Sequence, residues 1–130
     1  MREIIKETLD EHKHKIMVKF IQNNFKPNDS PWEMCIELEK IFSCSEEESR
    51  QAAIEYIKSL ENDYNYVSLT DASGSTFAVL PKSMDLTNIK EIRRFLLDNT
   101  TIPWSTNLDP FFNTTIIPLV SFLRMAQLVS

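Results

Sequence analysis

DYNYVSLTDASGSTFAVL, residues 63–80, holds Gly74, the only glycine of a 130-residue chain, between two runs of alternating side chains. Tyr64, Tyr66 and Ser68 alternate with Asn65, Val67 and Leu69; beyond the turn, Phe77 and Val79 alternate with Ala78 and Leu80. Period-two patterning in β-branched and aromatic residues is the mark of strands. Gly74 lies in DASGS, where a tight connection calls for positive φ, which glycine adopts at least steric cost. Pro81 ends the second run. The stretch predicts a β-hairpin in a chain that elsewhere avoids flexible backbone.

Upstream, the periodicity changes to that of helices. Ile5, Leu9, Ile16 and Phe20 are spaced by four, seven and four, with His12 filling the gap as a partly buried packing residue. One helix, or two broken near His12, would fit this stripe. NFKPNDSPW interrupts it and supplies a new start, with Ser30 placed to cap orphan amides and Pro31 at a first helical position where a missing N–H costs nothing. The second helix is expected from about Trp32 to Phe42, turning on Trp32, Cys35, Ile36, Leu38, Glu39 and Phe42. Ser45 and Glu48 form a capping box for a third helix, expected from Glu46 to Asn62, with Ala53, Ile54, Ile57 and Leu60 buried. Ser43-Cys44 leaves a link as short as that of a helix-turn-helix.

Downstream, Asp85 or Thr87 is placed to cap a helix built on Ile89, Ile92, Phe95 and Leu96. TTIPWSTNLDPFFN is irregular, broken by Pro103 and Pro110. The last segment, IIPLVSFLRMAQLV, is apolar nearly all round and reads as a helix far too short for a membrane span. Either the domain wraps around it, or a second chain covers part of it through Leu119, Phe122, Leu123 and Met125, helped by Trp104 and Phe111.

Three helices, the last two tightly joined, then a hairpin: over about residues 13–82 this order resembles the winged-helix variant of the helix-turn-helix fold. The fold class expected is α+β and mostly helical, with a winged-helix-like unit over 1–82 and a C-terminal helical extension over 83–130 packed on it as one domain. The resemblance implies that the third helix reads a DNA major groove and that the hairpin lies against phosphates or the minor groove. Contacts would then come from Lys13, Lys15, Lys19, Arg50, Gln51 and Lys58.

Charge opposes that role. Residues 27–62 carry nine acids against three bases, and the hairpin tip has Asp71 and no cation, whereas residues 1–26 are mildly basic, with six bases against four acids. A duplex reader must bring cations to a polyanion.

Length and composition fit a single globular domain able to bury roughly two thirds of its unfolded surface. With the chain starting at Met1 and no cleavable leader pattern, a cytoplasmic location is expected. One glycine excludes the P-loop and the dinucleotide fingerprint. His12 and His14, two apart, diverge on a helix, and Cys35 and Cys44 lack zinc-ligand company, so no metal or cofactor is expected. Cross-strand packing accounts for Tyr64, Tyr66 and Phe77 better than base stacking does. Acid pairs such as Glu33 and Glu37 have no nucleophile or base beside them, which points away from catalysis. The expectation is a non-catalytic adaptor or regulatory module that binds protein through an acidic helical face and an apolar C-terminal segment, without membrane or small-molecule substrate. The alternative is a dimeric DNA-binding regulator.

Overall fold

A computed structural model describes the backbone of residues 2–72, 74–99 and 112–130, and their side chains from residue 11 onward. Trp104 and Phe111 lie outside the described residues, as do the proline breakers at 103 and 110. Three helices come first: α1 (Arg2–Asn24), α2 (Pro31–Phe42) and α3 (Glu46–Ser59). Strands β1 (Tyr64–Asp71) and β2 (Gly74–Pro81), helix α4 (Ile89–Asp98), strand β3 (Asn113–Ile116) and helix α5 (Leu119–Met125) follow.

The hairpin forms, with a register that runs from Tyr64 opposite Pro81 to Asp71 opposite Gly74. Gly74 is the first residue of β2, with φ 135°, and a Cβ built there would meet nothing within 4 Å. Its role is therefore conformational, because side-chain space is available but an L-residue rarely holds that backbone angle.

The helices depart from expectation mainly in which face they bury. α1 runs unbroken, but its buried positions are Met17 and Ile21, while Ile16 is 43% exposed and His12 is exposed. Met17 and Ile21 share a face with the partly buried Lys13 and His14, while Phe20 packs against the core from a partly buried position; the side chains of Ile5 and Leu9 lie outside the described residues. In α2, Pro31, Met34, Cys35 and Leu38 are buried at helical spacing, which turns Trp32 outward to 70% exposure. Ser30 occupies the N-cap without a side-chain cap bond. The α3 capping box is present in both directions, with Glu48 N–H donating to Ser45 Oγ (3.1 Å) and Ser45 N–H to Glu48 Oε1 (3.2 Å). That helix ends at Ser59 and buries Ser49, Ala52, Ala53, Tyr56 and Ile57; Ile54 and Leu60 are only partly covered. For α4 the cap is Asn88, whose side chain accepts from Glu91 N–H, while Asp85 accepts from Thr87 instead.

The last apolar segment is not one helix. Its first residue, Ile116, closes β3, which starts at Asn113 ahead of the segment and pairs antiparallel with β1 to give the sheet order β2-β1-β3. Asn113, Thr114, Thr115 and Ile116 are short, mostly β-branched residues that suit an edge strand, and Pro118 then serves as the N-cap of α5. The end of α5 closes in a Schellman motif without glycine. Gln127 takes the left-handed conformation (φ 60°), its N–H donates to Arg124 O (3.0 Å), and Leu128 N–H donates to Leu123 O (3.0 Å).

Strand alternation sorts the core into two layers. Tyr66 and Val79 face a cluster with Met17, Ile21, Met34, Leu38, Ile57, Phe122 and Leu128. Val67, Leu69, Ala78 and Leu80 face the other way, against Ile92 and Leu96 of α4 and against Phe112. The sheet is accordingly covered on both faces, by α1–α3 with α5 on one and by α4 on the other. Phe122 joins the layers of the first cluster, with its ring centroid 5.1 Å from both Tyr66 and Phe77. Such aromatic contacts add to the gain from burial.

Candidate functional site

Among the described residues, no three His, Cys, Asp or Glu side chains gather to hold a metal, and no helix is long and apolar enough to cross a membrane. Cys35 and Cys44 are free thiols. Burial is the main cause that pushes both thiols above their ordinary pKa; at Cys35 a hydrogen bond with Ser49 opposes it, and at Cys44 the Glu48 carboxylate reinforces it. Neither is poised as a thiolate nucleophile. Tyr66 is buried rather than presented to a ligand, and its hydroxyl donates to Ile57 O (2.7 Å).

The residues expected to meet nucleic acid divide into two sets. Lys13, Arg50 and Gln51 converge on the first turn of α3. Lys13 Nζ lies 3.4 Å from Glu48 Oε2, Arg50 Nη2 lies 3.1 Å from Glu47 Oε2, and Gln51 Nε2 donates to Glu47 Oε1 at 2.9 Å. Lys15 and Lys19 are exposed on α1, and Lys58 is exposed near the end of α3, about 12 Å along the axis from Arg50 at roughly 1.5 Å per residue. The outer ridge of α3 thus reads Glu47, Gln51, Glu55, Lys58, with its upstream cation already held by a carboxylate. Glu46, Glu47 and Glu48 occupy that helix start because the dipole and the capping box both favour acids there.

Of the residues expected at a partner seam, Phe122 and Leu123 lie inside the chain's own core at 3% and 6% exposure, and Leu119 and Met125 are partly buried. The reason is the shortness of α5: a helix of seven residues beside the sheet turns Phe122 toward Tyr66 and Phe77 and buries Leu123 in the same cluster. Among the described residues the large apolar side chains that stay exposed are Ile16 on α1, Trp32 and Ile41 on α2, Leu97 on α4, Ile116 on β3 and Val120 on α5.

A cleft that was not expected from the sequence opens between α2, α3 and the turn after α5. Trp32, Cys35, Ile36 and Glu39 line it from α2, Glu46, Ser49 and Arg50 from α3, and Ala126, Gln127 and Leu128 from the C-terminal turn; its volume is about 140 Å³. Trp32, Ile36 and Glu39 stand at i, i+4 and i+7, so they share one face. That outward stripe was visible in the sequence but was merged there with the buried one. The wall from Ala126 to Leu128 exists only because the Schellman closure folds the chain back. Beyond it, Val129 and Ser130 continue beside Glu47, Gln51 and Ile54 of the α3 ridge.

No protein-family model, curated protein or solved structure matches this chain. What it does has to be argued from this surface.

Proposed function

We propose that the chain is a non-catalytic interaction module that binds a protein partner through the acidic α2–α3 face. The observation that supports this reading is the pairing of Lys13 and Arg50 with Glu48 and Glu47. A helix that reads DNA needs free cations toward the phosphates. Here the first turn of α3 holds three glutamates, and its neighbouring cations already serve two of them, Glu47 and Glu48. The same face carries Trp32, and an exposed indole on a helix is the kind of aromatic anchor that dominates protein interfaces.

The alternative is a winged-helix DNA-binding regulator. Element order favours it, since a three-stranded antiparallel sheet follows three helices, and so do the exposed Lys15, Lys19 and Lys58. Two features weigh against it. The base of the hairpin is covered on both faces, leaving only its tip at Thr70, Ala72, Gly74 and Ser75 exposed, and the C-terminal turn stands beside the α3 ridge where a phosphate backbone would come.

Fluorescence anisotropy with a labelled duplex, run beside affinity capture by the tagged chain, separates the two. The module reading expects no duplex binding at physiological salt and a protein retained from lysate. Duplex binding that persists at physiological salt and weakens in Lys58→Ala overturns it.

A further inference from the structure

We propose that the cleft between α2, α3 and the C-terminal turn is a peptide-docking site that takes one bulky apolar side chain from a positively charged segment. The proposal rests on the protein-binding reading above and adds to it a place and a chemistry for the partner. Size limits the occupant first. At about 140 Å³ the cleft compares with the ~150 Å³ apolar cavity that accepts a benzene-sized group. One aromatic or branched aliphatic side chain therefore fits, and a folded surface does not enter.

Lining sets the polarity of what enters. Ile36, Cys35 and Leu128 supply apolar wall, and Trp32 at 70% exposure supplies a rim that a ligand can cover. An exposed indole beside an apolar cleft gains by burial, at roughly 25 cal/mol per Å² of apolar surface removed from solvent.

Charge sets the flanks of the anchor. Glu39 and Glu46 line the cleft, and the single cation among its described lining residues, Arg50, is tied at Nη2 to a third carboxylate, Glu47 (3.1 Å). The α2 and α3 sides of the opening thus carry net negative charge, with Arg124 beyond the C-terminal turn, and residues 27–62 as a whole carry nine acids against three bases. Lysine or arginine beside the anchor would meet these carboxylates, and an arginine could also lie over the Trp32 face. An acidic or neutral segment would find no such complement.

The test uses the full chain and three synthetic labelled peptides read by anisotropy: a lysine- and arginine-rich peptide with a central leucine, the same peptide with central alanine, and one with glutamates replacing the cations. The leucine peptide is expected to bind with an affinity that falls as salt rises. The alanine peptide should bind about tenfold more weakly, and the acidic peptide not at all. Trp32→Ala should weaken the leucine peptide about tenfold. The pair Glu39→Gln and Glu46→Gln should weaken it and flatten its salt dependence. These positions are exposed or half-exposed, and thermal melts confirm that the variants fold. The proposal is overturned if the leucine peptide does not bind at about 1 mM, if the alanine peptide binds equally well, or if Trp32→Ala changes nothing. A partner protein captured equally by wild type and Trp32→Ala would remove the cleft while leaving the module reading intact. Salt-resistant duplex binding would remove that reading itself.

Discussion

Asn28, in the loop between α1 and α2, clasps the backbone of Val79 in β2 from both sides of one residue. Its Nδ2 donates to Val79 O at 2.8 Å, and Val79 N–H donates to its Oδ1 at 2.7 Å. A side-chain amide thereby acts as a one-residue strand on the edge of β2 that β1 does not occupy. It also fixes the helical layer to the sheet.

Asn28→Ala leaves a part-buried donor and acceptor without partners, so a loss of about 1–3 kcal/mol is expected, to be read by denaturant unfolding at unchanged m-value. Asn28→Asp is more informative. The carboxylate still accepts from Val79 N–H but sets oxygen against Val79 O, so its folded pKa is raised and its ionised form destabilises the fold. Stability of that variant should increase as pH falls through the raised pKa, when a protonated carboxyl can donate again. A variant insensitive to pH would show that the clasp contributes nothing.

Tyr66 gives the opposite end of the pH scale. Its hydroxyl is buried and donates to Ile57 O, which also receives Leu60 N–H at 3.1 Å. Tyr66→Phe therefore leaves no acceptor orphaned, and should cost only about 1 kcal/mol. Desolvation, aided by Glu61, pushes the Tyr66 hydroxyl up to about 12, and desolvation with Tyr64 and Asp29 does the same for Tyr56. A phenol in the unfolded chain titrates near 10. The neutral forms favour folding, so this contribution is complete below about pH 10 and is lost as pH rises toward 12. Tyr66→Phe should lose less stability than wild type over that interval, measured by unfolding at stepped alkaline pH.

Glu48 carries the acid-side counterpart. Its carboxylate is held below the usual glutamate range, first by the Ser45 N–H bond and then by Lys13. A depressed folded pKa stabilises above the unfolded value near 4.3 and is lost as pH falls through the folded one. Ser45→Ala should remove about 1 kcal/mol of helix capping at neutral pH. Glu48→Gln keeps the box geometry and removes the titration. Acid unfolding followed by circular dichroism should therefore flatten in Glu48→Gln, below about pH 4.5, more than in Ser45→Ala.

What the sequence made legible follows from how local each determinant is. The hairpin, the capping box and the start of α2 at Pro31 depend on neighbours within a few residues, and all three are present in the structure. The burial of Met17 in place of Ile16 was not legible because both are apolar and only the packing of α3 decides between them. β3 was missed because four residues give too short an alternation, and pairing with β1 supplies what the segment lacks alone. The cleft was illegible for a related reason: its third wall depends on Gln127 adopting a left-handed conformation that glycine or asparagine would have announced. Trp32 needed the same knowledge, since a tryptophan on an amphipathic helix reads as core until the opposite stripe is seen to be filled.

The pairing of Lys13 of α1 and Arg50 of α3 with the α3 acids makes a last prediction that bears on function. Replacing Glu47 and Glu48 together by glutamine keeps hydrogen-bonding capacity at both positions and the capping box at the second, since glutamine serves at that place too. It removes two negative charges from the first turn and releases Lys13 and Arg50 from ion pairs at 3.4 and 3.1 Å. If these carboxylates are what keeps the face from a polyanion, the double variant should gain duplex affinity at low salt. Each cation brought to a phosphate adds close to 0.9 to the slope of log affinity against log salt, so two freed cations should steepen it by about 2. Anisotropy titrations at several salt concentrations read both quantities. A variant that folds and still ignores duplex would show that the geometry of α3, covered by the C-terminal turn, excludes DNA independently of charge.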